Sequence, residues 1–187
     1  MFDQRLMKAV AEQEPQARER FVREHYARAY RFLLRLTFGH EEAKDLTQQT
    51  FVIATSKAAG FRGECSLATW IQRIAYHEYT RWLKANHRKE LPEAQDIAAR
   101  GSIDDHTEAI VLAEALQSIS PLLRESFLLH EVVGLNVREV SALLQCPTGT
   151  VKWRLRAARI ALRERLEETN YETPESRIAF ESRGSST

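Results

Sequence analysis

Apolar positions recur every three to four residues along most of this chain, and almost nowhere in strict alternation. That is the spacing of a helix with one buried side, not of a half-buried strand. A short helix is predicted over about Asp3–Glu12. Pro15 suits the first turn of a second helix, where a missing N–H costs nothing. That helix runs to about Phe38, with Phe21, Tyr30, Leu33, Leu34 and Leu36 on or near its apolar side and Gly39 as its stop. A third, about Glu41–Ala59, would bury Ala43, Leu46, Thr50, Phe51 and Ile53 or Ala54. Gly60 and Gly63 bracket a loop, after which Ser66 can cap a fourth helix reaching about Ala85.

Residues 87–106 break the rhythm. They hold Pro92, Gly101 and many polar groups without a sustained apolar period, and read as a flexible linker. Helical periodicity returns over about Thr107–Ser118, Pro121–Val133, Asn136–Leu144 and Thr148–Glu168, with Gly134 closing the second of these. Asn136 followed three residues later by Glu139 has the form of a capping box. Residues 169–187 are polar and read as a disordered tail. The expected fold is all-α: two small helical domains, 1–86 and 107–168, each near the lower size limit for an independent core.

The last two helices carry the clearest chemistry. Asn136–Leu144, a tight turn, and Thr148 onward have the form of a helix-turn-helix, in which the second helix enters the major groove. Val140, Leu143 and Leu144 would face inward from the first helix, Val151 and Leu155 from the second. Lys152, Arg156 and Arg159 then share an outward face, flanked by Arg154. Arginine can bond guanine bidentately, and either cation can neutralise phosphate. Thr148 and Thr150 lie where hydroxyls and free N–H groups can meet a phosphate. Trp153 could touch a base or sugar, or pack on its own domain.

Charge sharpens this picture because it is segregated. The chain's net charge is only +1, yet residues 148–165 carry six basic groups and one acid. A polyanion would be drawn to that helix and to parts of the first half, not to the whole surface. Other chemistry finds little support. No Gly-rich phosphate loop, metal-ligand spacing or nucleophile set is present, so neither a cofactor nor a metal nor catalysis is expected. No apolar run approaches the ~18 residues of a membrane span. Cys65 and Cys146, 81 positions apart, fit no disulfide framework and suit a reducing cytoplasm.

Several runs resemble a known family. Asp45-Leu46-Thr47-Gln48-Gln49-Thr50-Phe51, Phe61-Arg62-Gly63-Glu64 and Ser66-Leu67-Ala68-Thr69-Trp70-Ile71-Gln72-Arg73-Ile74-Ala75 are similar to region 2 of sigma-70-family factors of the extracytoplasmic-function group. Leu116–Ile119, Pro121–Arg124, Gly134-Leu135 and Gly149-Thr150-Val151-Lys152 are similar to that group's region 4. The resemblance covers about residues 15–168, in order. It implies a bacterial transcription initiation factor that binds core RNA polymerase through the β′ clamp helices and β flap. Such a factor recognises minus-ten and minus-thirty-five promoter elements, helps melt promoter DNA, and is restrained by an anti-sigma factor.

Residue by residue, the resemblance assigns Asp45, Gln48 and Gln49 to the polymerase. Their i, i+3, i+4 spacing puts them on one helix face, and Gln49 stands where Glu is usual. Phe61 and Arg62 would help shape a pocket for a flipped minus-ten base. Trp70, Arg73, His77, Arg81 and Lys84 continue along one side of the fourth helix, where aromatics can stack on bases and cations can hold a single strand. Trp70 can equally be a core residue, and Phe61 a loop anchor. Thr148, Thr150, Lys152, Trp153, Arg154, Arg156 and Arg159 fall to the minus-thirty-five element. Departures from the family pattern are Gln145 for a turn glycine, Trp153 for a small serine, and Arg156-Ala157 where an aromatic or histidine precedes arginine. A helix-turn-helix repressor or activator would use only the second half and have no need of the first-half motifs. A helical scaffold would need neither.

Overall fold

The computed structural model describes residues 2–86 and 103–171, and there the chain is helical and without strands. Four helices form the first half: α1 (Phe2–Ala11), α2 (Pro15–Thr37), α3 (His40–Ser56) and α4 (Leu67–Ala85). Four more follow: α5 (Ile103–Ser118), α6 (Pro121–Phe127), α7 (Val137–Leu144) and α8 (Thr148–Tyr171). Among the described residues, no helix is long and apolar enough to cross a membrane, and no group of three or more His, Cys, Asp or Glu could hold a metal ion.

Local sequence explains most boundaries. Pro15 opens α2, and Ser66 caps α4 by accepting the Thr69 N–H at 3.1 Å. Asn136 and Glu139 close both bonds of a capping box on α7. Gln145 takes the left-handed conformation (φ 51°) that its position after α7 requires, so the helix-turn-helix turn survives without glycine. The conformation costs a non-glycine residue about 1 kcal/mol.

Two boundaries differ from expectation. Gly39 does not end α2; Phe38 does, at φ 56°, donating its N–H to Leu34 O at 2.9 Å. Gly39 instead precedes α3 with an extended backbone. Phe38 can bear the strain because its ring is fully buried, which is worth about 2–3 kcal/mol, and the Arg124 guanidinium lies 4.4 Å over it. The predicted helix Pro121–Val133 is also not uniform. After Phe127 it widens, the Val133 N–H reaching back five residues to Leu128 O at 3.0 Å, before Gly134 (φ 83°) turns the chain.

The expected linker, 87–106, lies outside the described residues as far as 102, and the backbone is already helical from Ile103. Nothing between 103 and 118 opposes a helix, since no Gly or Pro occurs there. The expected tail likewise starts later, α8 running to Tyr171, with 172–187 outside the described residues.

Two apolar clusters organise the molecule. One belongs to the first half alone, gathering Leu6, Met7 and Val10 of α1 with Phe21, Phe51, Phe61, Leu67 and Ile71. The other is shared between halves: Phe32, Leu33, Leu36, Phe38, Tyr76 and Tyr79 pack with Leu116, Leu128, Leu129, Val151 and Leu155. Independent cores were the expectation for the two domains. A shared cluster answers the size problem, because each unit buries on the other the apolar surface it cannot cover by itself.

Candidate nucleic-acid and polymerase interfaces

The α3 stripe is the simplest site. Leu46, Thr47, Thr50 and Phe51 point into the fold, which leaves Asp45, Gln48 and Gln49 exposed on the opposite side. Thr47 and Thr50 turn their hydroxyls back to Ala43 O and Leu46 O at 2.6 and 2.7 Å, so their burial leaves no hydroxyl proton unbonded. The stripe is therefore a rigid polar face on a well-packed helix.

The loop before α4 places the neighbours Phe61 and Arg62 differently. Phe61 is 9% exposed and meets Trp70 edge-on, ring centroids 5.4 Å apart. Arg62 beside it is exposed, and Gly63 turns the chain at φ 75°. Phe61 thus acts as the loop's anchor, and Arg62 is the part that a ligand can reach. Cys65 is half-buried, and burial pushes its thiol pKa up, away from the reactive thiolate.

Along α4, His77, Arg81 and Lys84 are exposed and line one groove with Ile53, Lys57 and Ile74. Arg81 bonds Glu78 at 2.9 Å within the helix. Trp70 and Arg73 are half-buried and face a second groove, beside the 60–65 loop. There Arg73 is engaged: its Nη2 donates to Glu139 Oε1 of α7 at 2.6 Å. The other Glu139 oxygen accepts the Asn136 N–H at 2.8 Å. One carboxylate therefore starts a helix in the second half and holds an arginine of the first.

Other bonds join the halves at the same seam. The Tyr76 hydroxyl donates to Glu125 Oε2 at 2.8 Å, and Arg28 donates to Val132 O at 3.4 Å. Burial raises the Glu125 pKa; the Tyr76 hydrogen bond and the charges of Arg124 and Arg154 oppose it in part. Tyr76 and Tyr79 are shifted upward, by burial first and then by the Glu125 charge. Arg124 is buried, donating to Leu116 O at 2.8 Å and Ile119 O at 3.1 Å. It ties α5 to α6, and Phe38 of the first half covers it.

On α8 the predicted face divides. Val151, Leu155, Ala158 and Leu162 are buried, spaced as an inward stripe. Lys152, Trp153 and Arg156 are exposed, Trp153 at 65%. Trp153 therefore does not pack on its own domain. Thr148 is exposed and Thr150 half-buried at the helix start. Arg159 is exposed but holds Glu131 at 2.6 Å. Arg154 lies between inward positions, is half-buried, and points its Nη1 at Cys146 Sγ, 3.8 Å away. It belongs to the turn more than to the outward face. Glu139, Glu125, Tyr76 and Gln4, which donates to Arg62 O, carry no signal in sequence beyond the local capping pattern of Glu139.

Comparison with known proteins finds two family matches along the chain. The family sigma-70 region 2 matches residues 21–89, and sigma-70 region 4 matches residues 110–162. The RNA polymerase sigma-H factor of Pseudomonas aeruginosa is 27% identical over 184 residues, covering 88% of this chain and 94% of that one. The ECF RNA polymerase sigma-E factor of Escherichia coli K12 is 28% identical over 142 residues, 67% of this chain and 74% of that one. Among solved structures, the sigma factor RpoE of Bartonella quintana, in complex with the anti-sigma factor NepR, superposes with a TM-score of 0.64 at 25% identity. That match covers 80% of this chain and 96% of the other. CnrH, solved with the cytosolic domain of CnrY, shares the fold at a TM-score of 0.62 and 21% identity, over 89% and 97% of the two chains.

Proposed function

The chain belongs to the sigma-70 family, in its extracytoplasmic-function group, and from that premise we propose how its surfaces divide the work of promoter-directed initiation. It is a bacterial transcription initiation factor that binds core RNA polymerase and promoter DNA. Asp45, Gln48 and Gln49 meet the β′ clamp helices, and the second half meets the β flap. Arg62, Trp70, Arg73, His77, Arg81 and Lys84 handle the melted minus-ten strand, on a loop anchored by Phe61. Lys152, Trp153 and Arg156 read the minus-thirty-five duplex, with Thr148, Thr150 and Arg159 on its phosphates and Arg154 bracing the turn. In this reading α1 to α4 form the polymerase and minus-ten unit, and α5 to α8 the minus-thirty-five unit.

The observation that carries the reading is the exposed α3 stripe on the same chain as a basic helix-turn-helix. A repressor or activator working apart from polymerase has no use for the stripe. Sigma factors are not enzymes, and the protein acts in the cytoplasm without chemistry of its own. The Bartonella quintana relative was solved with an anti-sigma factor, and a partner of that kind holds this protein inactive until it is needed.

Run-off transcription tests the assignment. Core polymerase plus this protein should give promoter-specific transcripts, and Asp45→Ala or Gln48→Ala should weaken core binding. Tight binding to duplex DNA without polymerase, and no directed initiation with it, would replace this reading with the repressor one.

A further inference from the structure

Helix α1 lies wholly before residue 21, where the region 2 match begins. Its ten residues would make a marginal helix alone in water. Leu6, Met7 and Val10 dock it, buried in the cluster that also holds Phe61, Leu67 and Ile71. The helix thus shares one apolar cluster with the anchor of the loop and the start of α4, and lies against the 58–60 turn just before them.

Its polar groups reach the same two places. Gln4 Nε2 donates to the carbonyl of Arg62 at 2.7 Å, across 58 residues of sequence. Gly63 has φ 75°, and a Cβ placed on it would lie 2.7 Å from Gln4 Nε2 and 3.0 Å from Gln4 Cδ. The Gln4 side chain therefore lies flat on the loop, and glycine is what lets it approach. One residue earlier, Asp3 Oδ2 accepts the Leu67 N–H at 3.3 Å. That N–H is among those a helix start leaves free, and Ser66 already serves another.

We propose that α1 is a strut for minus-ten recognition, with Gln4 and Asp3 as positioning residues that fix the 61–66 loop so that Arg62 faces the melted strand. The proposal rests on the reading of that loop as a minus-ten element. An exposed loop would otherwise sample many conformations and could re-pack around a wrong base, as flexible, promiscuous surfaces do. Gln4 touches no DNA in this scheme; it acts through the Arg62 carbonyl.

The test uses the full chain assembled with core polymerase, on a promoter found by run-off transcription and on copies substituted at single minus-ten or minus-thirty-five positions. Gln4→Ala removes the donor, and Gln4→Glu keeps the shape while losing it. Both should reduce discrimination against a wrong minus-ten base about threefold to tenfold, the range of one hydrogen bond. Core affinity and the minus-thirty-five penalty should stay at wild-type values, and the unfolding midpoint should fall by no more than one exposed hydrogen bond contributes. Asp3→Ala should act in the same direction, and Asp3→Asn, which still offers an oxygen, should restore discrimination. Lys8→Ala, on the exposed side of α1, serves as the control that changes nothing. A loss spread equally over all promoters, or wild-type discrimination in both Gln4 variants, overturns the strut. If the wild-type holoenzyme itself ignores the minus-ten sequence, the reading of the loop falls and the strut falls with it.

Discussion

The two sites proposed to face DNA are built in opposite ways. The minus-ten side is held from several directions: Phe61 is buried against Trp70, Gln4 grips the Arg62 carbonyl, and Glu139 holds Arg73. On the minus-thirty-five side a packed stripe sets one helix, whose outer face stands free at Lys152, Trp153 and Arg156. The difference follows from the two ligands. A major groove is a rigid mould that accepts a helix, so a well-packed helix is organisation enough. A melted strand has no fixed shape, so the protein must supply it, and flipping a base costs a few kcal/mol that a shaped pocket offsets.

Two aromatics break this comparison most directly. Phe61→Ala should lower unfolding stability by about 3–5 kcal/mol, as expected for a large ring removed from a core. Trp153→Ala should change it by less than about 0.5 kcal/mol, as for surface positions, and should alter minus-thirty-five binding instead. Denaturant titration with a shared slope checks both. Equal losses would mean that the two sites are not built differently.

The cations come next. Arg156→Ala should cost about 1–3 kcal/mol of promoter binding in the holoenzyme and relax preference at one minus-thirty-five position. Lys152→Ala, if it meets phosphate, should weaken all sequences alike and lower the salt slope by about one. Binding to promoters with intact and scrambled minus-thirty-five elements, over a salt series, separates these outcomes. Unchanged binding in both variants would remove α8 from recognition.

What sequence revealed and concealed follows from range. Ser66, Pro15 and the Asn136–Glu139 box were legible because each acts within three residues. The inward stripes were legible because burial repeats with the helix. The bonds that shape the minus-ten side join residues 58, 64 and 66 positions apart, and no local pattern encodes them. Phe38 misled for a related reason. Glycine is the locally cheaper left-handed residue, and only tertiary burial under Arg124 lets a phenylalanine take that place. Sequence leaves Phe61 open between base pocket and loop anchor, because adjacent loop residues carry no periodicity; packing makes it the anchor and leaves Arg62 exposed.

A smaller effect is expected where the two sites meet. The Arg73–Glu139 pair is about a third exposed at each side chain (35% and 37%), so screening holds its worth to about 1 kcal/mol or less. Glu139→Gln keeps the capping pattern and removes the charge. It should loosen the contact between the halves a few-fold, read as a longer distance between labels on α4 and α7. Helix content should hold. If the distance stays fixed while α7 frays, Glu139 serves its own helix only.

The least effect, and the one with a distinctive signature, belongs to Glu125. Burial raises its pKa above 4.5 despite the Tyr76 donor and the facing charges of Arg124 and Arg154. An acid whose folded pKa is raised binds its proton more tightly when folded. The stability it contributes is therefore complete below 4.5 and is lost as pH rises through the elevated value. Glu125→Gln leaves an amide oxygen to accept from Tyr76 and cannot ionise. The variant should thus match the wild type near pH 4.5 and grow relatively more stable as pH rises, with the gap levelling off once the wild-type carboxyl is ionised. Unfolding midpoints of both proteins across that window measure the gap, in which the protonation of other acids cancels. A gap independent of pH would mean that Glu125 titrates as it would in water, and that the seam between the halves is open enough to solvate it.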